Sequence, residues 1–176
     1  MIFSTIVELD VIDSTNSFLK ERSLDLASGT VVRAKHQTAG RGQFDRIWTD
    51  NPGENVLFSI LLKDVAVQKL EALKNRTASA VMTLLSRYGI QARFKEPNDL
   101  YAENRKLAGF LVETKTQGTI AQSVVIGIGL NVNQTDFAGL NAISMRELCD
   151  QFFDTDEVFA NLIQELMAQY SLWESI

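Results

Sequence analysis

Three features of the sequence predict an α+β domain. Residues 5–11, 30–37, 55–62 and 119–128 each read as strands, by alternation or as short apolar runs between turn signals. Residues 67–88 carry the period of one long amphipathic helix, and a second begins near Asp156. Helices and strands interleave along the chain, with no repeat, linker or low-complexity stretch between them.

The 176 residues suit one domain with a single core, and a 45 % hydrophobic, 22 % charged composition excludes disorder. No apolar run approaches the roughly 18 residues of a membrane span, and the N-terminus lacks the basic start and cleavage site of a signal peptide. The single cysteine, Cys149, rules out an internal disulfide framework and fits a reducing cytoplasm, with core packing as its role.

In residues 5–11, Val7, Leu9 and Val11 face one way and Ile6, Glu8 and Asp10 the other, as in a half-buried strand. Asp13, Ser14, Thr15 and Asn16 follow. Each is a good N-cap, and residues 18–27 continue as a helix ending before Gly29. Thr30–Gln37 is the next strand, and its His36, the only histidine, reads as structural rather than as a general base. The strand leads into Ala39, Gly40, Arg41, Gly42, Gln43, Phe44, Asp45 and Arg46, a segment too glycine-rich and charged for regular structure. Gly40 and Gly42 let a backbone approach a ligand closely, and Arg41 and Arg46 suit a carboxylate or phosphate. Trp48 closes the loop, and residues 50–53 form a turn.

The run 55–62 predicts a strand inside the sheet. Leu70, Leu73, Thr77, Ala80, Val81, Leu84 and Tyr88 form the stripe of the long helix, which Gly89 stops. Two glycines, Gly127 and Gly129, interrupt an apolar strand, which marks close approach by a ligand or a backbone. Asn131 in the same run either satisfies neighbouring backbone or reads a ligand. Ser144 and Glu147 are spaced as a capping box for a short helix to Phe153. The last helix buries Phe159, Leu162, Ile163, Leu166, Tyr170 and Trp173.

The densest chemistry lies in residues 94–114. Pro97 extends Glu96 and delivers Asn98 and Asp99 at a defined bend. If 100–102 and 106–114 are hairpin arms turning at Glu103, Asn104 and Arg105, Lys106 folds back beside Asp99. An ammonium, a carboxylate and a carboxamide so gathered suit a metal-bound phosphate or an activated acyl group. A hairpin with a solvated turn would produce the same spacing.

A net charge of −5 argues against a general nucleic-acid binder. The cations gather instead at Arg33, Lys35, Arg41 and Arg46, and at Arg93, Lys95, Arg105 and Lys106, a distribution suited to a small anionic ligand.

Taken together, Asp13 to Asn16, then Gln37 to Gly42 with Trp48 behind, Lys95 to Asp99 with Lys106, Gly109, Leu111 and Glu113, and Gly127, Gly129, Asn131 and Asn133 resemble the catalytic domain of biotin–protein ligases. The resemblance covers nearly the whole chain. It implies a mixed, largely antiparallel central sheet flanked by helices, as in the class II aminoacyl-tRNA synthetase and biotin ligase group. It implies activation of biotin by ATP to biotinyl-AMP, with Mg²⁺, and transfer to a lysine of a biotin carboxyl carrier domain of acetyl-CoA carboxylase or a related carboxylase. It places Ser14, Thr15, Asn16 and Gln37 around the biotin ureido ring. Arg41, with Gly40, Gly42, Gln43 and Trp48 in its loop, covers the carboxylate and phosphate. Gly109 and Leu111 line the biotin slot, Arg46, Asn98 and Asn131 face the nucleotide, and Gly127 counts among the ligand-binding residues. Lys106 becomes the central lysine, with Asp99 orienting it or holding Mg²⁺.

The sequence departs from the family at three places. Gln43 replaces an arginine and Asp45 a glycine of the family loop, and Glu96 stands where tryptophan is usual. One charge-assisted hydrogen bond is worth about 1.5–3 kcal/mol, so the loss at Gln43 loosens adenylate retention roughly ten- to a hundred-fold. The expectation is one catalytic domain over 1–176, monomeric or homodimeric, with neither an N-terminal DNA-binding domain nor a C-terminal β-barrel. Binding to DNA or a membrane is not expected. A lipoate or octanoyl ligase of the same fold, or a biotin-binding module without turnover, are the competing readings.

Overall fold

The computed structural model describes residue 3, residues 5–44 and residues 46–174, the side chains of 172–174 excepted. Asp45 and the Trp173 side chain, both named above, lie outside the described residues. In chain order the elements are β1 (Thr5–Ile12), α1 (Thr15–Glu21), β2 (Thr30–Gln37), β3 (Asn55–Ala66), α2 (Leu70–Arg87), β4 (Arg93–Lys95), β5 (Asp99–Ala102), β6 (Arg105–Gln117), β7 (Ile120–Asn131), α3 (Met145–Cys149) and α4 (Thr155–Glu174). Among the described residues one seven-stranded sheet forms in the order β1-β2-β3-β7-β6-β5-β4. Only β1 and β2 pair in parallel, bridged by α1, and the remaining neighbours are antiparallel. The mixed, largely antiparallel expectation therefore holds.

The two faces of the sheet have different fates because side chains alternate along each strand. On one face Val56, Phe58, Ile60 and Leu62 of β3 and Val124, Ile126, Ile128 and Leu130 of β7 pack under α2 and α4. The predicted stripe of α2 supplies Leu73, Ala80, Val81 and Leu84, all 1 % exposed or less. Each such leucine contributes about 1.5–3 kcal/mol by burial. The other face is covered only at one end, where Leu19 of α1 meets Val32, Leu61 and Val125. Beyond α1 it carries Ser59, Gly109, Leu111, Gly127 and Gly129, and is open.

Several element boundaries differ from those read in the sequence. α1 keeps the Ser14 cap but stops at Glu21, and residues after Arg22 turn instead of continuing to 27. Ser23, Asp25 and Ser28 are weak helix formers, and the Ser28 hydroxyl accepts from Lys63 N instead of staying in a helix. β3 and β7 pair along their whole length, so β3 runs on to Ala66 and β7 through the glycine pair to Asn131. A single 3-10 turn, Val67–Lys69, precedes α2. The short strand β4 was not foreseen, and Val11 is exposed although its neighbours Val7 and Leu9 pack inward. The Ser144 capping box forms, but α3 ends at Cys149 because Asp150 turns left-handed. Cys149 packs against the larger core, as expected, and burial pushes its thiol up. Among the described residues no helix is long and apolar enough to cross a membrane.

Candidate active site

The open face of the sheet forms a cleft of about 500 Å³. Its floor follows from the register. Asp99, Gly109 and Gly129 are cross-strand neighbours in one row, and Leu111, Gly127 and Ser59 form the adjacent row. The two rows lie roughly 7 Å apart along the strands.

Lys106 reaches this floor through the hairpin read in the sequence. Glu103 and Asn104 both have positive φ, 48° and 61°, as a two-residue hairpin turn of the primed type requires. Arg105 already belongs to β6. A register shift between Leu100 and Tyr101 then brings Lys106 Nζ to 2.7 Å from Asp99 Oδ1. The contact is an ion pair without hydrogen-bond alignment, since Asp99 Oδ1 is buried with no aligned donor. Lys106 Nζ also lies 5.5 Å from the centre of a Trp48 ring.

Trp48 explains two of the glycines. A Cβ on Gly129 would stand 2.6 Å from Trp48 Cζ2, and one on Gly40 would stand 2.4 Å from the Trp48 carbonyl oxygen. The tryptophan lies flat on β7 because Gly129 has no side chain, and Gly40 accepts its backbone, receiving a hydrogen bond from Trp48 N of 2.9 Å. Gly127 performs a similar service for α1, since its Cβ would meet Asn16 Oδ1 at 2.2 Å. Both strand glycines thus clear space for protein side chains rather than for a ligand or backbone directly.

At the end beneath α1, the N-cap Ser14, with Thr15, Asn16 and Gln37, lines the cleft. Gln37 Oε1 accepts from Thr15 N at 2.8 Å. Asn16, however, spends its carboxamide on protein, donating to Leu111 O and Glu113 Oε2 and accepting from Ser59 Oγ at 2.6 Å. His36 pairs with Asp50 at 2.9 Å behind Gln37, on the structural side of the strand. Burial pushes the Asp50 carboxyl up, and the bond from His36 opposes it.

The glycine-rich loop folds as a small antiparallel bridge between Arg41 and Ile47. Arg41, Gly42, Gln43, Arg46 and Trp48 line the cleft, while Gly40 lines the adjoining recess. Arg41 is held by Glu113, with Nη1 3.3 Å from Oε2 and Nη2 3.1 Å from Oε1. Lys20 Nζ joins the same carboxylate at 2.6 Å. Burial pushes Glu113 up, but hydrogen bonds from Lys20 and Asn16 and the charge of Arg41 outweigh it and hold its carboxyl below the usual range.

Asn98 and Asn131 border the opposite end of the cleft, bracing backbone as they do so. Asn98 Nδ2 donates to Phe110 O at 2.6 Å, and Asn131 Nδ2 to Ile143 O at 3.1 Å. Phe137, Leu140, Asn141 and Ala142 complete this end, a segment that carried no motif in the sequence. Its backbone is tied to Lys106, which donates to Asn141 O and accepts from Ile143 N.

The expected cation clusters are corrected by the structure. Arg41, Arg46 and Lys106 line the cleft. Arg33 is buried against Phe159 and Asp156, and Lys35 pairs with Asp10 on the edge strand. Arg93 bonds Asn104, Lys95 lies over Tyr101, and Arg105 pairs with Glu103 and Glu147. Strand alternation turns Arg33 and Lys35 to the face of Phe58, whereas Arg93 and Lys95 share the face of their cross-strand partners Tyr101 and Asp99 and are taken up by Asn104 and the Tyr101 ring, which sequence proximity cannot reveal. Glu96 is exposed and forms no part of the cleft wall. Ser59 and Glu113 were given no role in advance, although Ser59 is a single polar residue in the apolar run 55–62, the same signal that singled out Asn131.

The lysine-centred cleft on the open face of this mixed sheet is the site that the resemblance to protein ligases of biotin and lipoate implies. Residues 8–131 match the family model described as the Biotin/lipoate A/B protein ligase family, and the chain belongs to that family. It is 34 % identical over 176 aligned residues to the bifunctional ligase/repressor BirA of Escherichia coli, covering 97 % of this chain and 54 % of that protein. To the biotin–[acetyl-CoA-carboxylase] ligase of Mycobacterium tuberculosis it is 33 % identical, over 96 % of this chain and 66 % of the relative. Against the BirA of Bacillus subtilis the match covers 71 % of this chain at 39 % identity, and 39 % of the relative. The chain thus spans about half or less of the length of the first curated relatives it matches. Among solved structures, the Aquifex aeolicus biotin protein ligase in complex with biotin and ATP superposes with a TM-score of 0.77 at 26 % identity, covering 94 % of this chain and 70 % of that one.

Proposed function

We propose that residues 1–176 form the catalytic domain of a cytoplasmic biotin–protein ligase. Biotin carboxylate attacks the α-phosphate of ATP, an oxygen–phosphorus bond forms, and pyrophosphate leaves. The amine of a lysine on a biotin carboxyl carrier domain, from acetyl-CoA carboxylase or a related carboxylase, then attacks the acyl carbon of biotinyl-AMP and AMP leaves. The observation that carries this reading is the Lys106–Asp99 pair at 2.7 Å, in a cleft also lined by the uncharged Ser14, Thr15 and Gln37 and by Arg41 and Arg46. Two anions must meet for the first bond to form, and a fixed ammonium at their junction offsets the repulsion. Asp99 orients that ammonium. Arg41 exchanges Glu113 for the incoming carboxylate or phosphate, a swap between equivalent charge-assisted contacts.

The residues do not fit a protein-held Mg²⁺. Asp99 is engaged by Lys106, and among the described residues no group of three His, Cys, Asp or Glu could hold a metal. The ion would travel on the nucleotide phosphates.

The family description also includes lipoate, but the polar end under α1 favours a ligand with hydrogen-bonding groups over a dithiolane or alkyl chain. Pyrophosphate release with Mg-ATP and biotin, lipoate or octanoate separates these readings, and intact mass of an added carrier domain tests transfer. Release with biotin and a mass gain of one biotinyl group is the expected result. No turnover with biotin would leave a binding module.

A further inference from the structure

The polar end of the cleft contains a directed chain of hydrogen bonds that begins outside the ligand-contacting residues. Asn16 Nδ2 faces two groups that only accept, Leu111 O at 3.3 Å and the Glu113 carboxylate at 2.9 Å. These fix the orientation of the carboxamide, so Asn16 Oδ1 must face Ser59. Ser59 is fully buried, and its single proton goes to Asn16 Oδ1 at 2.6 Å. The 2.7 Å contact between Ser59 Oγ and Thr15 Oγ1 then has one possible direction, with Thr15 donating, and the other oxygen within reach of that proton, Gln37 Oε1, is farther off at 3.1 Å. Gln37 Oε1 is served by Thr15 N at 2.8 Å. Thr15 Oγ1 therefore enters the cleft as an acceptor only, and Gln37 Nε2 has no protein acceptor among the described residues.

We infer that Ser59 and Glu113 are positioning residues which set this polarity, so that the cleft selects a ligand carrying an N–H donor at Thr15. This rests on the ligase reading above and deepens it. A urea or cyclic amide supplies the N–H, and its carbonyl can accept from Gln37. A dithiolane or alkyl acid supplies neither. Without the Ser59 hydroxyl, the Thr15 proton keeps only the longer contact to Gln37 Oε1 at 3.1 Å, an oxygen already served by Thr15 N, so rotation into the cleft competes with it and the acceptor becomes ambivalent.

The test compares dissociation constants by calorimetry for biotin, for its two analogues in which ring oxygen replaces one ureido N–H, and for lipoate. The proteins are the unaltered chain, Ser59→Ala, Glu113→Leu and Glu113→Gln. The unaltered protein should prefer biotin to the less favoured oxygen analogue by roughly 10- to 100-fold, since a site built to bond a donor rejects its replacement. Ser59→Ala and Glu113→Leu should shrink that preference about tenfold or more, while Glu113→Gln, which still offers Asn16 an acceptor, should retain it. Thermal melts establish that each variant is folded, because a general loss of structure would weaken all ligands alike and leave the ratio unchanged for a reason unrelated to polarity. Ratios within twofold of the unaltered protein in both Ser59→Ala and Glu113→Leu overturn the inference while leaving the ligase reading intact. Failure of the unaltered protein to bind biotin removes that reading, and this inference with it.

Discussion

Lys106 Nζ stands 2.7 Å from Asp99 Oδ1, although seven positions separate the two residues and they belong to different strands. The hairpin turn at Glu103 and Asn104 and the register shift after Leu100 create this pairing together. Because Asp99 is mostly buried, the ammonium is held in one place at the centre of the cleft. Lys106→Ala should reduce biotin-dependent pyrophosphate release by roughly 10²–10³-fold, the usual effect of deleting a charge-stabilising donor. The thermal midpoint should change little. Release at the unaltered rate would remove Lys106 from the chemistry.

Gln43 lines the cleft where the resembling family carries an arginine. Gln43→Arg should slow escape of biotinyl-AMP about tenfold or more by adding a charge-assisted bond. Asp45, outside the described residues, could capture the new arginine, so Gln43→Arg with Asp45→Gly is the cleaner comparison. Dissociation rates of biotinyl-AMP, with labelling of a bystander protein followed alongside, decide the matter. Equal rates in all three proteins would make Gln43 a neutral variation.

Gly129→Ala places a methyl group 2.6 Å from Trp48 Cζ2, so the ring must leave its seat on β7. Overpacking of this kind costs about 1–3 kcal/mol. At about 2–4 °C per kcal/mol for a chain of this size, the thermal midpoint should fall by several degrees. Tryptophan emission should shift as well, and biotin binding should weaken. An unmoved spectrum with full binding would show that the ring is not seated by Gly129.

Glu113 gives a signed pH dependence. Burial pushes its carboxyl up, while Lys20, Asn16 and Arg41 more than compensate, so its folded pKa lies below the unfolded value of about 4.3. Its contribution to stability is then complete above the unfolded value and is lost as pH falls through the folded one. The stability difference between the unaltered protein and Glu113→Gln should be constant from neutrality down to about pH 5, and shrink as acidification continues through the lowered folded pKa. Thermal melts across that range check it. A difference that grows on acidification contradicts the contacts of Glu113.

Local rules made much of this molecule legible in the sequence. The Ser14 and Ser144 caps, the Gly89 stop, the apolar stripe of α2 and the hairpin that returns Lys106 to Asp99 all depend on residues within a few positions of one another. The four motifs and their order carried the family for the same reason, since each is a contiguous word. Tertiary structure alone decided which words touch. Gly127 makes room for Asn16 and Gly129 for Trp48 because β7 lies under both segments, a fact of strand order. Arg41 meets Glu113, and Ser59 meets Asn16, across strands far apart in the chain. Whether a cation serves the cleft or a distant ion pair depends on which face its strand presents. Side-chain direction alternates with each residue, so one step of register exchanges cleft for core, and that register is fixed by pairing between remote strands.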